Sequence, residues 1–248
     1  MQELFTEKTL NFAHRGYTGE APENSLAAFR AAIELGVDGI ELDVRTCKTG
    51  EVMVFHDPTL ARMTNGRGFV KNKSLSELKS LTINSQNSKL KEALPTLEEV
   101  IELVKGKVFL NVEIKTKGLP KDHIEGKVVE ILRHYGIEHQ TIVSSFNPIV
   151  IRRLRKIDDQ IMTGYLVDKN FTFPSSEIPL SKLAGARAIH LEESLVKDKL
   201  IEKIHDAGFL TIVWGVNDFN MMKKLIELGV HGIITDKPDQ LKTIQASQ

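Results

Sequence analysis

Short apolar runs alternate with longer amphipathic stretches along almost the whole of the 248-residue chain. The apolar runs lie near residues 10, 40, 110, 143, 164, 189, 212 and 233, and stretches with helical spacing separate most of them. This alternation is typical of a parallel sheet whose strands are connected by helices. Eight such units in a chain of this length favour a closed (β/α)8 TIM barrel over a doubly wound open sheet. We therefore predict an α/β fold in which residues 1–248 form one barrel domain.

The alternation is interrupted in two places. A second apolar run at 52–55 follows the run at 37–44 after only a short turn, which predicts a hairpin. From residue 59 to 95 the pattern weakens into turn-rich and polar sequence with one short helix, so we predict an insertion at about 46–95, after the second strand. The other interruption is 168–184, where the segment FTFPSS stands in place of a clear helix and predicts a loop.

Polar side chains end many of the apolar runs. In a parallel barrel the carboxyl ends of the strands meet at one face, which is where barrel active sites lie. Residues far apart in the sequence are therefore expected to converge there. The residues at or near these ends are His14, Glu41, Asp43, His56, Glu113, Lys115, His190, Trp214, Asn217 and Asp236.

Three of these residues are acids that strand alternation turns towards the barrel interior. Glu41 and Asp43 share one face of their strand, and Glu113 arrives on the next barrel strand. A Glu-x-Asp pair is often only a solvated face, but three carboxylates in an interior with little water need a cation. Oxygen ligands of this kind suit one divalent ion, Mg²⁺ or Ca²⁺, and suit zinc poorly in the absence of histidine ligands.

His14 and His56 each end a strand beside these acids. Two imidazoles on opposite sides of a substrate can act as general base and general acid, because their ordinary pKa is roughly 6.5. Arg15 and Lys115 add fixed positive charge, which together with a cation describes a phosphate site. The alternative for both side chains is ion pairing with the same carboxylates.

Composition and motifs argue against several other functions. The 33 basic residues balance 33 acidic ones, so no overall positive charge is available to hold a nucleic acid. The single cysteine, Cys47, rules out an internal disulfide framework and fits a reducing compartment. We find neither a secretory signal pattern nor the ~18 apolar residues of a membrane span, and so predict a cytoplasmic protein without a stable membrane anchor. Phosphate-binding glycine motifs and a G-x-S-x-G elbow are also missing from the sequence.

Several short motifs, spread over nearly the whole chain, combine these residues with their neighbours. They are His14-Arg15-Gly16, Pro22-Glu23-Asn24-Ser25, Gly39-Ile40-Glu41-Leu42-Asp43-Val44, His56-Asp57, the loop Arg62…Thr64-Asn65-Gly66, Glu113-Ile114-Lys115, Trp214-Gly215-Val216-Asn217 and Gly232-Ile233-Ile234-Thr235-Asp236-Lys237-Pro238. In their order and spacing the motifs resemble the glycerophosphodiester phosphodiesterase family.

The resemblance implies metal-dependent hydrolysis of glycerophosphodiesters, such as glycerophosphocholine or glycerophosphoethanolamine, to glycerol 3-phosphate and an alcohol. In the mechanism proposed for that family, the glycerol 2-hydroxyl attacks phosphorus and water then opens the cyclic phosphate. Carried over position by position, the implied roles are metal ligands for Glu41, Asp43 and Glu113, an acid/base pair for His14 and His56, phosphate contacts for Arg15 and Lys115, and an aromatic wall for the glycerol at Trp214.

Two positions depart from the family pattern. The usual Trp-Thr-Val-Asn reads Trp-Gly-Val-Asn here, so Gly215 removes a hydroxyl beside the expected site. His190 lies where a histidine of the sixth barrel strand is often found, but Leu191 follows it in place of the usual proline.

Two other functions are compatible with the same residues. One is a phosphodiesterase acting on lysophospholipid or phosphoinositol diesters, although the polar sequence of the insertion offers little apolar surface for an acyl chain. The other is a non-catalytic barrel that binds a phosphate ligand, against which the presence of both histidines and all three acids argues. The expected partner is a small-molecule substrate rather than a nucleic acid, and the expected state is a monomer or homodimer.

Overall fold

Parallel strands close into a barrel with helices packed around the outside. The computed structural model describes residues 8–84, 91–116, 122–170 and 176–247. Within these residues the strands are β1 (Leu10–His14), β2 (Gly39–Thr46), β3 (Val52–Val54), β4 (Phe109–Ile114), β5 (Thr141–Ser145), β6 (Met162–Val167), β7 (Ala188–Glu192), β8 (Leu210–Trp214) and β9 (Gly232–Thr235).

Eight of the described strands form the barrel. Their hydrogen-bonded order is β1-β9-β8-β7-β6-β5-β4-β2, and β1 also pairs with β2, which closes the ring. All of these pairs are parallel. β3 lies beside the ring, because it runs antiparallel to β2 with Val44 opposite Val54. The predicted (β/α)8 barrel and the predicted hairpin are both confirmed.

Helices connect the barrel strands and bury their apolar faces against the outside of the sheet. α1 begins after Ser25, whose Oγ accepts a hydrogen bond from the Ala28 N–H at 3.1 Å, and ends at Gly36, which has a left-handed φ of 77°. Among the described residues no helix is both long enough and apolar enough to span a membrane. The helices are α1 (Leu26–Leu35), α2 (Leu75–Lys79), α3 (Leu97–Val104), α4 (Ile124–Tyr135), α5 (Pro148–Ile157), α6 (Glu177–Ala184), α7 (Asp198–Asp206), α8 (Phe219–Glu227) and α9 (Pro238–Gln245).

The loop predicted at 168–184 is wrong for its second half, where the chain forms α6 at Glu177–Ala184. The sequence is misleading because Pro179 stands inside the helical stretch. In the structure Pro179 occupies the first turn of α6, where a backbone N–H has no acceptor within the helix, so the proline costs no helical hydrogen bond. Residues 171–175, most of the FTFPSS segment, lie outside the described part of the chain.

The insertion predicted at 46–95 builds a small apolar core of its own. After β3 it contains a 3₁₀ helix, Val70–Asn72, and then α2. This packing fixes the insertion beside the carboxyl end of β2; residues 85–90 lie outside the described part. Its buried side chains are Cys47, Met53, Phe55, Leu60, Val70, Leu78, Ile83 and Leu94.

Apolar side chains fill the barrel at the amino ends of its strands. Phe12 is the bulkiest of them, and it fits because Gly39 and Gly232 beside it carry no side chain. A Cβ at Gly39 would lie only 2.3 Å from a Phe12 ring carbon. The barrel is therefore closed at this end, which leaves the carboxyl ends of the strands for a site. The cluster consists of Leu10, Phe12, Ile142, Met162, Ile212 and Ile234.

A histidine also lies inside the barrel. His190 of β7 is fully buried, and its Nε2 would lie 2.3 Å from a Cβ placed on Gly164 of β6. Neither ring nitrogen has a hydrogen-bond partner within the described residues. Burial lowers the pKa of His190 to about 3, so the ring is neutral at pH 7. It packs inside the barrel as an uncharged side chain.

Replacing Gly39 by alanine is expected to destabilise the protein, because the new methyl group overlaps the Phe12 ring. Overpacking of this kind typically costs about 1–3 kcal/mol in the free energy of unfolding, measured by denaturant titration. Combining Gly39→Ala with Phe12→Leu should recover part of the loss. Gly126→Ala in α4 is the control, since its Cβ would stand 4.0 Å from Ile157 and alanine favours a helix. Purely additive effects of Gly39→Ala and Phe12→Leu would contradict the packing described.

Acid is expected to destabilise the protein partly through His190. The unfolded chain binds a proton at this imidazole below roughly pH 6.5, whereas the folded chain resists protonation until about pH 3, so stability falls as pH drops through that window. Between pH 7 and pH 5 the loss from this one group is about 2 kcal/mol. The free energy of unfolding of the His190→Gln variant should fall correspondingly less over the same pH range. Equal falls in the wild type and the variant would contradict a buried, neutral His190 as a source of the acid sensitivity.

Candidate active site

Three buried carboxylates meet at the carboxyl ends of β2 and β4. Strand alternation turns Glu41 and Asp43 inward, and the parallel register places Glu113 of β4 beside Asp43. Each acid offers one oxygen within 4.8 Å of the others, and none of the three residues is more than 6% exposed. The convergence predicted for these acids is thus observed. We refer to Glu41, Asp43 and Glu113 as the carboxylate triad.

Two cations of the protein reach the carboxylate triad. Lys115 Nζ lies 3.1 Å from Asp43 Oδ1 and 2.6 Å from Glu113 Oε1, and Arg15 Nε lies 3.2 Å from Asp43 Oδ2. Burial opposes ionisation of Asp43, but Lys115 and Arg15 outweigh it and lower its pKa. Burial and the charge of Asp43 raise the pKa of Glu41 to about 8, and burial also raises the pKa of Glu113. If all three acids of the triad were ionised, their three negative charges would exceed the two positive charges of Lys115 and Arg15 by one.

The carboxylate triad fits a divalent cation. Its donors are carboxylate oxygens, which are the ligands that Mg²⁺ and Ca²⁺ prefer, and they are spaced so that one ion can lie among them. A bound cation would also favour ionisation of Glu41, whose pKa is raised by burial and by the charge of Asp43. Within the described residues no other group of three or more acidic, histidine or cysteine side chains has this spacing.

Arg15 and Lys115, the predicted phosphate contacts, are both engaged with carboxylates. Besides its contact with Asp43, Arg15 donates from Nη1 to Glu23 Oε1 at 3.0 Å and from its backbone N–H to Glu41 Oε2 at 3.1 Å. Ion pairing, the alternative weighed from the sequence, therefore describes both side chains. Each also keeps access to solvent, with 17% of the Arg15 side chain and 15% of the Lys115 side chain exposed.

His14 ends β1 with its Nε2 3.9 Å from Glu41 Oε2. Its Nδ1 donates a hydrogen bond of 2.7 Å to Asp236 Oδ1, and Asn217 Nδ2 donates to the other oxygen of Asp236 at 2.8 Å. Burial opposes protonation of the ring, but the hydrogen bond to Asp236 and the charge of Glu41 outweigh it and raise the pKa of His14. With Nδ1 engaged, Nε2 is the nitrogen that faces the carboxylate triad.

His56 follows β3 and approaches the space above the carboxylate triad, which we call the cleft, from the side of the insertion. Its Nδ1 donates to Asp57 Oδ1 at 2.7 Å. Arg45 fixes the backbone of His56, because its Nε and Nη2 donate to the His56 carbonyl at 2.8 and 2.7 Å. Burial, together with the charges of Lys115 and Arg15, lowers the pKa of His56, so this ring is neutral at pH 7.

Each histidine is oriented by an acid to which the sequence analysis assigned no role. Asp57 directly follows His56 in the sequence, so the pairing of this acid with the histidine at the end of a strand can be predicted from their adjacency. Asp236 stands 222 residues from His14 and comes beside it only because β9 pairs with β1. In both pairs the carboxylate engages Nδ1 and leaves Nε2 for the cleft, which is how acids orient catalytic histidines elsewhere.

Trp214 ends β8 and is joined to the site by an aromatic residue that the sequence analysis did not single out. Phe146, just after β5, packs edge-on against Trp214 with ring centroids 5.7 Å apart, and Lys115 Nζ lies 5.7 Å from the Phe146 ring centroid. The Trp214 Nε1–H donates to the His190 carbonyl at 3.3 Å. Gly215 has a φ of 78°, a left-handed conformation that suits glycine better than the family's usual threonine.

Comparison with known proteins shows which family this chain resembles over nearly its whole length. The profile of the glycerophosphoryl diester phosphodiesterase family matches residues 14–240. A glycerophosphodiester phosphodiesterase of Caldanaerobacter subterraneus subsp. tengcongensis is 38% identical over 237 residues, covering 94% of this chain and 96% of the relative. One from Bacillus altitudinis is 34% identical over 242 residues, covering 94% and 97% of the two chains.

A solved structure extends the similarity to the fold. A phosphodiesterase of Oleispira antarctica, determined in complex with the product sn-glycerol-3-phosphate, superposes with a TM-score of 0.87. It is 27% identical, and the superposition covers 98% of this chain and 99% of that one. By its sequence over nearly its whole length, and by its fold, the chain belongs to the glycerophosphoryl diester phosphodiesterase family.

Proposed function

We propose that this protein hydrolyses glycerophosphodiesters to glycerol 3-phosphate and an alcohol in the cleft above the carboxylate triad. The observation that carries the proposal is the meeting, at one end of the barrel, of three buried acids with two histidines whose Nδ1 atoms are engaged by separate carboxylates. Family membership and the relative solved with sn-glycerol-3-phosphate support the same substrate class.

The carboxylate triad is proposed to hold one divalent cation, either Mg²⁺ or Ca²⁺. When bound, such an ion offsets the charge of the substrate phosphate and favours the more highly charged transition state. Arg15 and Lys115 border the same space and are proposed to contact the phosphate oxygens as they also contact the triad. Trp214, backed by Phe146, is proposed to form the apolar wall for the glycerol.

His14 and His56 are proposed to move the protons. One imidazole accepts at its Nε2 the proton of the glycerol 2-hydroxyl as that oxygen attacks phosphorus, and the other donates a proton from Nε2 to the oxygen of the leaving alcohol, so that no unstable alkoxide is released. Water then opens the cyclic phosphate: the second imidazole takes a proton from the water as its oxygen bonds to phosphorus, and the first returns its proton to the glycerol 2-oxygen, which gives glycerol 3-phosphate and restores both rings. The hydrogen bonds to Asp236 and Asp57 hold Nδ1 in place and keep each ring turned in the required direction. Lys115 and Arg15 keep Asp43 ionised, whereas burial and the charge of Asp43 favour protonated Glu41, so a bound cation would favour ionisation of Glu41.

We extend the proposal to residues 1–248 acting as one catalytic unit, as a monomer or homodimer. Cys47 is free and buried in the insertion. A free thiol fits a reducing compartment, so the cytoplasm is the location that we propose.

Purified protein is expected to release glycerol 3-phosphate from glycerophosphocholine in the presence of Mg²⁺ or Ca²⁺ and to lose that activity in EDTA. His14→Ala and His56→Ala should each lower kcat by roughly 10²–10⁴, because each removes a general acid or base. His139→Ala is the matched control, since His139 is exposed on a 3₁₀ helix before β5, at the opposite end of the barrel.

Three outcomes would overturn the proposal. Activity that survives both EDTA and His14→Ala would remove the metal and the histidines from the mechanism. Turnover of lysophospholipids or phosphoinositol diesters, with none of glycerophosphocholine or glycerophosphoethanolamine, would replace the substrate class. Calorimetry that detects glycerol 3-phosphate binding in a protein without turnover would identify a non-catalytic barrel instead.

A further inference from the structure

Arg62, in the insertion, binds two carboxylates at once. Its Nε and Nη2 donate to the two oxygens of Asp57 at 2.6 and 3.0 Å. Its Nη1 and Nη2 donate to the two oxygens of Glu23 at 2.9 and 2.7 Å. The planar guanidinium thus makes two bidentate pairs, the geometry in which arginine fixes the orientation as well as the charge of its partners.

Both of these carboxylates also hold a residue of the site. Asp57 Oδ1 accepts the hydrogen bond from His56 Nδ1 at 2.7 Å, and Glu23 Oε1 accepts one from Arg15 Nη1 at 3.0 Å. Glu23 belongs to the loop after β1, whereas Asp57 follows β3. Arg62 therefore joins two separate loops. Through Asp57 it is connected to His56, a proposed proton-transfer group, and through Glu23 to Arg15, a proposed phosphate contact.

The loop that carries Arg62 is well anchored. Leu60 is fully buried in the small core of the insertion, and its carbonyl accepts hydrogen bonds from the backbone N–H and the Oγ1 of Thr64 at 3.0 and 2.8 Å. Asn65 pairs with Thr82 through its backbone N–H and its side-chain oxygen, at 3.2 and 2.9 Å. Arg62 consequently projects from a fixed backbone towards Asp57 and Glu23.

Without Arg62 these two acids would repel each other. Its hydrogen bonds hold the pKa of Asp57 below the ordinary value, and they outweigh burial to lower the pKa of Glu23 as well. The Arg62 side chain is nevertheless 47% exposed, and exposed ion pairs add little to global stability. The contacts of Arg62 restrict a long, half-exposed side chain and add little to stability. They therefore point to a role in positioning the two acids, Asp57 and Glu23.

We propose that Arg62 is a positioning residue, which holds Asp57 and Glu23 so that His56 Nε2 and Arg15 face the substrate phosphate together. This inference rests on the proposed function for its kinetic consequences, but the geometry of His56 can be tested without turnover. It also gives the insertion a part in catalysis, since the contact of its loop with the β1 loop completes the arrangement.

The test compares Arg62→Gln and Arg62→Lys with Arg67→Gln. Arg67 is exposed in the same loop and forms no ion pair among the residues that the structure describes. We expect Arg62→Gln to raise KM through Arg15 and to lower kcat through His56, reducing kcat/KM by roughly 10–10² while the unfolding temperature stays near that of the wild type. Arg62→Lys should stay impaired, because an ammonium group cannot make two bidentate pairs.

Single variants of the two acids, and a triple variant that adds Arg62→Gln to both, show whether Arg62 acts through Asp57 and Glu23. Asp57→Asn alone should mainly lower kcat, and Glu23→Gln alone should mainly raise KM. Adding Arg62→Gln to the Asp57→Asn, Glu23→Gln background should cost little more, since its partners are already changed. Full additivity, or an Arg62→Gln variant with the kinetics of Arg67→Gln, would overturn the inference.

Nitrogen-15 NMR of the His56 ring separates this inference from the proposed function. The wild type should show one tautomer, with the proton on Nδ1, whereas Arg62→Gln should shift and broaden the ring signals as Asp57 loses its fixed position. If the wild type has no activity but Arg62→Gln still shifts and broadens the His56 signals, the proposed function is refuted and the positioning role is supported. If the His56 spectra of the wild type and Arg62→Gln are identical, the positioning role is refuted, even when the wild type is active.

Discussion

Three carboxylates buried side by side repel one another, and the charged groups around them are arranged to offset that repulsion. Lys115 and Arg15 lie directly against the carboxylate triad. Glu23 then pairs with Arg15, and Arg62 pairs with Glu23 and Asp57, so charge alternates outward from the triad into the insertion. With all three acids ionised, this innermost layer would be one positive charge short. That shortage is the physical reason for assigning a divalent cation to the triad.

The barrel makes this accumulation of charge possible. Parallel register brings Asp43 beside Glu113, and pairing of β1 with both β2 and β9 brings His14 between Glu41 and Asp236. The opposite end of the barrel is packed with apolar side chains around Phe12. The charged groups of the site lie at the carboxyl ends of the strands, where loops from separate βα units add the residues that orient them.

The parts of this structure that follow from local sequence periodicity could be predicted, and those that depend on loop conformation could not. Alternation gave the strands and the inward direction of Glu41 and Asp43, and closure of the barrel then predicted convergence. The sequence pattern does not predict helix α6, because a proline in the first turn of a helix cannot be distinguished from a proline in a loop by spacing alone. The link from Arg62 to Glu23 spans 39 residues and two loops, and no spacing rule predicts such a contact.

Titration of the metal-free protein with Mg²⁺ and, separately, Ca²⁺ by isothermal calorimetry tests the central claim most directly. The account predicts one ion bound per chain, with binding lost or greatly weakened in Asp43→Asn and Glu113→Gln and retained in Glu227→Gln, which changes an exposed acid on α8. The ion that binds more tightly would also identify the metal. Absence of binding, or binding that persists unchanged when the acids of the carboxylate triad are replaced, would contradict the account.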